Sequence, residues 1–353
     1  MAPNQNNSQD YEDAMTHYEN KAVVLARHPE GALQISDFRM EARSVRALEP
    51  GEFLIANHWL SIDPYTRPRL NRHTDYVSPI GLGEIISGET VGVVVASRTL
   101  HYQEGDKVFA YSGWQQYHIT NDQDFIVHKL PPTDLPDTVF LNTVGTPGRS
   151  AYFGMMRIAK PHAGEVLVVS AASGAVGSIV GQMGKMAGCR VVGIAGSAEK
   201  CRYVVEELGF DACVNYRDDD LKKQLRHACP DGVDIYFENV GGRISMLVAQ
   251  LLNEGARVPI CGNAAQYDKG TDVNVSSPTA FFSSLPDAPT NRFFLVTEWF
   301  KDYPESDMWL LKALSEGKLK YRETLIAGLE NAPQAFVDLL NARHFGKQII
   351  KIV

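Results

Sequence analysis

A heptapeptide rich in small residues, Ala171-Ala-Ser-Gly-Ala-Val-Gly177, has the composition and spacing of a phosphate-binding turn. It follows the apolar run 166–169 and precedes apolar residues at three- and four-residue intervals, which indicates a buried strand, a turn and a helix. Small residues let the backbone approach a pyrophosphate, and the helix N-terminus binds its charge. The alternative is a small-residue turn in another parallel α/β domain. The context favours a dinucleotide site at Ser173, Gly174, Ala175, Val176 and Gly177.

The next strand indicates which dinucleotide this site binds. An NAD site has Asp or Glu at the tip of this strand, where the carboxylate binds the ribose hydroxyls. The strand at 190–197 instead ends in Ala-Gly-Ser, and Lys200 follows. A third strand ends at Tyr216, before Arg217. A missing acid beside a cation suits a 2′-phosphate, so we predict NADPH as the cofactor. The predicted contacts are Gly196, Ser197, Lys200 and Tyr216, with Arg217 as a secondary candidate.

Glycines and polar residues at later strand ends extend the predicted cofactor site. Asn239 precedes Gly241-Gly242 at the end of one apolar strand, and another strand ends in a turn at Gly262. Glycines at such strand ends let the backbone pass close to a bound ligand. The remaining predicted cofactor contacts are Cys261, Phe294, Val296 and Lys347.

The composition of the 353 residues is that of a globular protein large enough for two domains. A net charge of −8 argues against a nucleic-acid partner. No apolar run approaches the length needed to span a membrane, and the polar N-terminus lacks a signal core, so we expect a cytoplasmic protein without membrane contact. Neither the five cysteines nor the ten histidines show the spacing of metal ligands, which predicts free thiols and no metal.

The chain changes character near a Pro/Gly hinge at 145–148. Residues 1–18 form a polar flexible tail by composition. Residues 19–145 contain short apolar runs between turn residues, typical of a small β-barrel domain. Strand and helix patterns then alternate through residue 324, which predicts an α/β fold with a doubly wound parallel sheet. A terminal strand follows at 346–353. The long Ser/Pro/Asp-rich connection at 264–292 predicts a binding loop.

Further segments, in order, resemble the zinc-independent medium-chain dehydrogenase/reductase superfamily. The likeness is strongest to its leukotriene B4 dehydrogenase/prostaglandin reductase branch, which includes bacterial NADPH-dependent curcumin reductases. Gly88-Glu89-Thr90 stands where zinc-dependent relatives have Gly-His-Glu. Phe293-Phe294 departs from the Gly-Phe that is usual in relatives. The matching segments are Ser61-Ile-Asp-Pro-Tyr-Thr-Arg, Tyr111-Ser-Gly-Trp-Gln, Gly145-Thr-Pro-Gly-Arg-Ser-Ala-Tyr, Ala195-Gly-Ser-Ala-Glu-Lys, Glu238-Asn-Val-Gly-Gly, Gly328-Leu-Glu-Asn-Ala-Pro and Phe345-Gly-Lys.

This resemblance implies a GroES-like β-barrel domain (19–145 and 325–353), a Rossmann domain (146–324) and a homodimer. It also implies an enzyme that reduces the C=C bond of α,β-unsaturated ketones and aldehydes, curcumin-type enones among them. Hydride goes from NADPH to the β-carbon, and a proton goes to the α-carbon. The alternatives are a quinone or 2-alkenal oxidoreductase on the same fold, and an NADPH-binding sensor without turnover.

Such a reaction needs a group that stabilises the enolate oxygen, and without zinc a hydroxyl or a backbone N–H must do so. Tyrosine fits, because its hydroxyl donates a hydrogen bond while its ring lines an apolar pocket. We expect Tyr267 to be the catalytic donor and name Tyr65 as the second candidate. A ribose hydroxyl of the cofactor is an alternative proton source. The predicted substrate contacts are Tyr76, Phe281 and Phe282.

Overall fold

The computed structural model describes residues 18–72, 78–124, 126–267 and 277–352. The described residues form two compact units, the first drawn from 18–141, 325–341 and 348–352 and the second from 142–324 and 342–347. The first segment of the first unit therefore ends at residue 141, whereas we predicted 145. Residues 342–347 belong to the second unit, although we predicted that all of 325–353 lies in the first. The predicted tail residues 1–17 lie outside the described residues.

The strands and helices follow one another in an order that is β-rich at first and alternating afterwards. In chain order they are β1 (Glu19–Leu25), β2 (Phe38–Ser44), β3 (Glu52–Ser61), α1 (Thr66–Arg69), β4 (Thr90–Ser97), β5 (Lys107–Ala110), β6 (Tyr117–Asn121), β7 (His128–Lys129), α2 (Thr146–Phe153), β8 (Val166–Ser170), α3 (Gly177–Met186), β9 (Arg190–Ala195), α4 (Ala198–Glu206), β10 (Ala212–Asn215), α5 (Leu221–Ala228), β11 (Val233–Phe237), α6 (Gly242–Val248), β12 (Leu252–Ile260), α7 (Pro278–Ser283), β13 (Thr290–Phe293), α8 (Tyr303–Ser315), β14 (Glu323–Ala327), α9 (Ala332–Leu340) and β15 (Lys347–Lys351).

The first unit contains a sheet in the order β14-β15-β3-β4-β5-β7, with β6 also paired to β3. The pairs from β15 to β7 and the β3–β6 pair are antiparallel. β1 and β2 form a separate antiparallel pair. Aromatic side chains fill the core of this unit: the Phe38 ring stacks on Trp114 at 5.7 Å, and Phe336 from α9 meets Trp114 edge-on at the same distance. The C-terminal strand β15 pairs with β3, as the resemblance implied.

The second unit contains a parallel sheet in the order β10-β9-β8-β11-β12-β13. The strand order reverses on either side of β8, which confirms the predicted doubly wound sheet. All five residues of β8 are buried, as expected for a parallel strand covered on both faces by helices. In such sheets ligands bind beyond the carboxyl ends of the strands, at the point where the order reverses. The turns after β8, β9, β11 and β12 are therefore the expected location of a ligand site.

The connection at 264–292 is not a bare loop where the structure describes it. It contains helix α7, and β13 begins at Thr290. Pro278 occupies the first helical position, and the Ser277 hydroxyl accepts a hydrogen bond from the Ala280 N–H. These local signals, which the composition argument overlooked, explain why a helix begins there.

The chain changes its helical geometry between α2 and β8. Helix α2 ends at Phe153, and a single π-helical turn covers Gly154–Ala159. The Gly154 backbone lies close to buried rings, since a Cβ there would stand 2.6 Å from Phe237 and 3.0 Å from Phe294. A larger residue would push this segment off the sheet.

Candidate active site

The phosphate-binding turn joins β8 to α3 and contains most of the residues that the sequence predicts. Ala171 has a left-handed backbone (φ +50°), which is strained for alanine. Its carbonyl accepts the Gly174 N–H at 2.9 Å and lies 2.4 Å from where a Cβ would stand on Gly177. Gly177 therefore permits α3 to begin directly over the turn. The N-cap residue, Val176, has no side-chain oxygen for the first N–H groups, which suit a phosphate.

The tip of β9 forms the second part of the site. Gly196 is buried beneath the ring of Tyr216, because a Cβ on Gly196 would stand 2.8 Å from Cε1 and 3.0 Å from the hydroxyl oxygen of that tyrosine. The Tyr216 N–H donates to the Ala195 carbonyl at 2.9 Å. The Ser197 hydroxyl caps α4 by accepting the Lys200 N–H at 3.2 Å. The predicted contacts Gly196, Ser197, Lys200 and Tyr216 thus lie together.

Two cations surround this corner. The Lys200 ammonium donates to the Ala342 carbonyl at 3.0 Å, and the Arg217 guanidinium lies 5.6 Å from the centre of the Tyr216 ring. Burial lowers the pKa of Lys200, and the charge of Arg217 lowers it further. A bound anion would relieve the repulsion between these two positive groups, and the tip of β9 has no carboxylate to do so. Arg217, a secondary candidate in the sequence, therefore belongs to this corner.

The contacts of the segment 342–347 explain its place in the second unit. Besides the Ala342 carbonyl, the Phe345 ring packs edge-on against Tyr203 at 5.0 Å, and the Arg322 guanidinium lies 3.8 Å from the centre of the Phe345 ring. The Lys347 N–H donates to the Arg322 carbonyl at 2.9 Å. Lys347, a predicted phosphate contact, is 3% exposed.

A buried carboxylate, Glu238, organises the turn after β11. Its Oε1 accepts the Tyr236 hydroxyl at 3.0 Å, the N–H groups of Val240 and Gly241 at 2.8 and 2.9 Å, and the Ser170 hydroxyl at 3.2 Å. Its Oε2 accepts the Ser245 hydroxyl of α6. This side chain is fully buried, and it joins β8, the turn and α6. Sequence reasoning assigned Glu238 no role beyond its place in a motif.

Asn239, the predicted ribose contact, is held against the end of β8. Its backbone N–H donates to the Ser170 hydroxyl, and its side-chain amide donates to the Ser170 carbonyl, both at 2.8 Å. These two bonds fix the strand ends that flank the point where the strand order reverses.

The end of β12 positions Tyr267, the first catalytic candidate. The N–H groups of Cys261 and Gly262 donate to the Glu238 carbonyl at 2.8 and 3.3 Å. The Tyr267 hydroxyl oxygen accepts the Asn263 N–H at 3.4 Å and lies 3.4 Å from where a Cβ would stand on Gly262. Burial raises the pKa of the Cys261 thiol to about 12, so this thiol is not a nucleophile at neutral pH.

Phe294 and Val296 occupy different environments. The Phe294 ring is 2% exposed, packs edge-on against Phe237 at 6.4 Å and lies tilted against Trp299 at 5.6 Å. Its side chain therefore belongs to the core, and only its backbone remains for a cofactor contact. Val296 is partly exposed and begins a short 3-10 segment after β13. Strand β13 ends at Phe293, the first residue of the apolar stretch 293–296.

Two of the predicted substrate contacts pack against the core of the second unit. Phe282 is fully buried and packs edge-on against Tyr236 at 6.0 Å, and Phe281 packs edge-on against Phe282 at 5.0 Å. Phe282 is thus a core residue of the second unit, because α7 turns it towards the sheet, and substrate contact through either ring stays a prediction. Tyr76 lies outside the described residues.

The first unit contains Tyr65, the second catalytic candidate. It immediately precedes α1, in the segment where Asp63 accepts a hydrogen bond from the Ser61 hydroxyl. The Tyr65 hydroxyl oxygen is buried. Among the described residues, none forms a hydrogen bond of normal geometry with it. Burial raises the pKa of Tyr65 well above its usual value, and the charges of Glu89 and Asp63 raise it further. This phenol stays protonated and is available as a donor.

Tyr111 lies beside Tyr65 in the same unit. Interaction with the Tyr111 hydroxyl also raises the pKa of Tyr65. The Arg69 guanidinium lies 5.9 Å from the centre of the Tyr111 ring. Burial raises the pKa of Tyr111 as well. Tyr111 lies in one of the segments that match the family, but sequence reasoning assigned it no role. The signal that could have identified it is its position directly after strand β5.

The raised pKa values predict a loss of stability at alkaline pH. Burial raises the pKa of Tyr65 and of Tyr236 well above 10, whereas tyrosines of the unfolded chain ionise near 10. Above about pH 10 the folded protein keeps the protons of these two hydroxyls, whereas the unfolded chain releases them. The free energy of unfolding therefore keeps its full contribution from these groups below about pH 10 and falls as the pH rises above it. Denaturant midpoints between pH 8 and 11 measure this, and an unchanged midpoint at pH 11 would contradict it.

The described residues contain no group of three or more His, Cys, Asp or Glu side chains arranged to hold a metal. The predicted absence of zinc remains a prediction. Among the helices that the structure describes, none is both long and apolar enough to cross a membrane.

Comparison with known proteins identifies the kind of molecule. Residues 21–127 match the family model described as the N-terminal domain of oxidoreductase, and residues 175–285 match that described as zinc-binding dehydrogenase. The chain is 41% identical over 346 residues to the NADPH-dependent curcumin reductase of Escherichia coli (strain K12), covering 94% of this chain and 97% of the relative. It is 37% identical to prostaglandin reductase 1 of Rattus norvegicus, covering 94% and 98%.

A solved structure agrees with these relatives. The crystal structure of CurA in complex with NADPH from Vibrio vulnificus superposes with a TM-score of 0.88 at 38% identity, covering 94% of this chain and 99% of that one. The fold and site are those of a two-domain oxidoreductase. The chain belongs to the medium-chain dehydrogenase/reductase superfamily, in the branch that contains the prostaglandin and curcumin reductases.

Proposed function

We propose that the protein uses NADPH to reduce the C=C bond of α,β-unsaturated ketones and aldehydes. The observation that carries this proposal is the kinship of nearly the whole chain with a reductase named for NADPH and curcumin. The two phenols described above add a physical argument, since each is a neutral donor for an oxygen that becomes negative during reduction. Curcumin-type enones are the substrates that we propose.

The residues present fit NADPH. The turn after β8 presents the N-terminus of a ten-residue helix to a pyrophosphate, and the tip of β9 presents Lys200 and Arg217 to a 2′-phosphate. The chain residues that hold the cofactor in this proposal are those of the turn at 173–177, the corner at 196–217, Asn239 and Lys347.

In the reaction, NADPH supplies the hydride that reduces the β-carbon. The protein supplies the hydrogen-bond donor for the enolate oxygen, and we assign this role to the Tyr267 hydroxyl. The Asn263 N–H donates to the phenol oxygen and thereby polarises the O–H, which makes it a stronger donor. The Tyr65 hydroxyl is the second candidate, because it is buried, protonated and without a well-aligned partner in the described structure.

A panel of three electron acceptors tests the reaction class. We expect NADPH consumption with an aromatic dienone and with a 2-alkenal, with saturation of the C=C bond shown by mass spectrometry. Turnover of a quinone alone would support the quinone oxidoreductase alternative. Tight NADPH binding without oxidation by any of the three would support a sensor without turnover.

Replacing Lys200 by alanine is expected to raise the dissociation constant of NADPH about 10- to 100-fold and to change that of NADH little. The reason is that one charge-assisted hydrogen bond to the 2′-phosphate, which contributes about 1.5–3 kcal/mol, is lost. Calorimetric titration of both nucleotides measures the effect. Lys222→Ala, at an exposed position of α5, is the matched control and should leave both constants unchanged. An equal loss for NADPH and NADH in Lys200→Ala would contradict the phosphate assignment.

We also propose that the protein is a homodimer, as the resemblance implied. β13 lies at the edge of the parallel sheet, and Phe293 and Leu295 are 46% and 45% exposed at its end. An edge strand beside exposed apolar side chains suits pairing with a second copy. Analytical ultracentrifugation is expected to give twice the mass of the chain, and the Phe293→Glu variant is expected to shift this mass towards that of the monomer. A wild-type monomer at micromolar concentration would contradict the proposal.

The cytoplasmic location remains a prediction.

A further inference from the structure

Two cysteines from different elements meet beside the Lys200 corner. Cys201 lies in the first half of α4, directly after Lys200, and Cys213 lies in β10. A Cβ placed on Gly193 of β9 would stand 3.2 Å from the Cys213 Sγ and 3.0 Å from Cγ1 of Val204. The Cys213 sulfur and Val204 therefore occupy the same face of the sheet, the one covered by α4.

Cys201 faces the same interface. It precedes Val204 by three residues, and residues at this spacing share one face of a helix. Interaction with Cys213 changes the pKa of the Cys201 thiol, so the two side chains are neighbours across this interface. Both residues are partly exposed rather than fully buried.

We propose that Cys201 and Cys213 form a redox-sensitive dithiol, which a hydroperoxide converts to a disulfide, and that this disulfide weakens the binding of the 2′-phosphate of NADPH. The second half of the proposal rests on the function proposed above; the first half does not.

The chemistry balances with a hydroperoxide as the oxidant. The Cys201 thiolate attacks the outer oxygen of the peroxide, the O–O bond breaks, and the alkoxide takes up a proton and leaves as an alcohol. Cys201 is then a sulfenic acid. The Cys213 sulfur attacks the Cys201 sulfur, the S–O bond breaks, and hydroxide leaves as water with the Cys213 proton. Two thiols and one hydroperoxide thus give a disulfide, an alcohol and water.

The environment of the thiols singles out Cys201 as the attacking sulfur. Interaction with Cys213 lowers the pKa of Cys201, although burial opposes the change. Burial raises the pKa of Cys189 and of Cys229 to about 11. Reactivity towards peroxide follows thiolate content, so Cys201 reacts first.

Disulfide formation alters the NADPH corner for a geometric reason. Two thiols that are not covalently joined keep their sulfurs at van der Waals separation or farther apart, whereas a disulfide joins them at about 2.05 Å. The first turns of α4 must move towards β10 to close that gap. Lys200 and the Ser197 cap belong to those turns, so both shift away from their positions for the phosphate.

The test treats the full-length protein with hydrogen peroxide and maps its peptides by mass spectrometry without reduction. We expect a peptide pair linked through Cys201 and Cys213, lighter by two hydrogen atoms and restored by dithiothreitol. Calorimetry on the oxidised protein should show an NADPH dissociation constant about tenfold higher, the size expected for one displaced charge-assisted hydrogen bond, and a smaller change for NADH.

Serine variants supply the controls. Cys201→Ser and Cys213→Ser should each abolish the linked peptide and the change in affinity, whereas Cys229→Ser should retain both. Oxidation of Cys201 to a sulfinic acid without a linked peptide would overturn the dithiol. A linked peptide with unchanged NADPH affinity would overturn the coupling. Absence of NADPH binding in the reduced protein would overturn the coupling together with the proposed cofactor, while the peptide map would still decide the disulfide.

Discussion

A Tyr267→Phe variant is expected to reduce an aromatic enone about 100-fold more slowly than the parent protein, with a nearly unchanged dissociation constant for NADPH. The phenol stabilises an oxygen whose negative charge develops only during the reaction, and the loss of one such donor costs about 10²–10³ in kcat. The ring remains, so packing after β12 changes little. Stopped-flow measurement of NADPH oxidation at saturating substrate reports kcat directly.

Tyr65→Phe is the matched comparison for this experiment. Its hydroxyl is buried and lies in the first unit, so its loss tests the second candidate with the same chemical change. If Tyr267→Phe retains the parental rate while Tyr65→Phe loses about 100-fold, the catalytic assignment moves to Tyr65. If both retain the parental rate, no tyrosine of the pair supplies the donor, and the ribose hydroxyl becomes the leading candidate.

A Glu238→Ala variant is expected to lose about 3–5 kcal/mol of unfolding free energy. The carboxylate accepts hydrogen bonds from Ser170, Tyr236, Val240, Gly241 and Ser245, and removing it leaves several buried donors without their acceptor. Each such donor costs about 1–3 kcal/mol, although the losses do not add fully. Denaturant unfolding followed by circular dichroism measures the change.

The amide variant Glu238→Gln separates hydrogen bonding from packing. It keeps the shape and one acceptor oxygen, so we expect a loss of only about 1–2 kcal/mol. A Glu238→Ala variant as stable as the parent would show that water replaces the carboxylate in the turn. It would also remove Glu238 from the residues that fix the strand ends around the cofactor.

Local patterns were sufficient for the parts of this protein that depend on neighbouring residues. The strand–turn–helix at 166–186 was predicted because its apolar spacing and small residues are contiguous in the chain. The strands that follow it were predicted for the same reason. Where a local signal was overlooked, as with the Ser277-Pro278 start of α7, a helix was missed.

Contacts between distant residues were not available from such patterns. From the sequence, Phe282 is an aromatic residue in a long connection and was predicted to contact substrate. In the structure, helix α7 places its ring in the core against Tyr236. Lys200 was predicted to bind the phosphate, but its contact with the Ala342 carbonyl depends on where residues 342–347 pack. Cys201 and Cys213 read as separate thiols until α4 packs on β10.

The amino-acid sequence by itself determined the type of each domain, the phosphate turn and the absence of a carboxylate at the tip of β9, because these are properties of contiguous residues. The tertiary structure decided which side chains share a site: Arg217 with Lys200, Cys201 with Cys213, and Glu238 with the ends of β8 and α6. The physical reason is that the spacing of apolar residues within one segment is enough to predict a strand or a helix. By contrast, packing over the whole domain determines which element each face contacts.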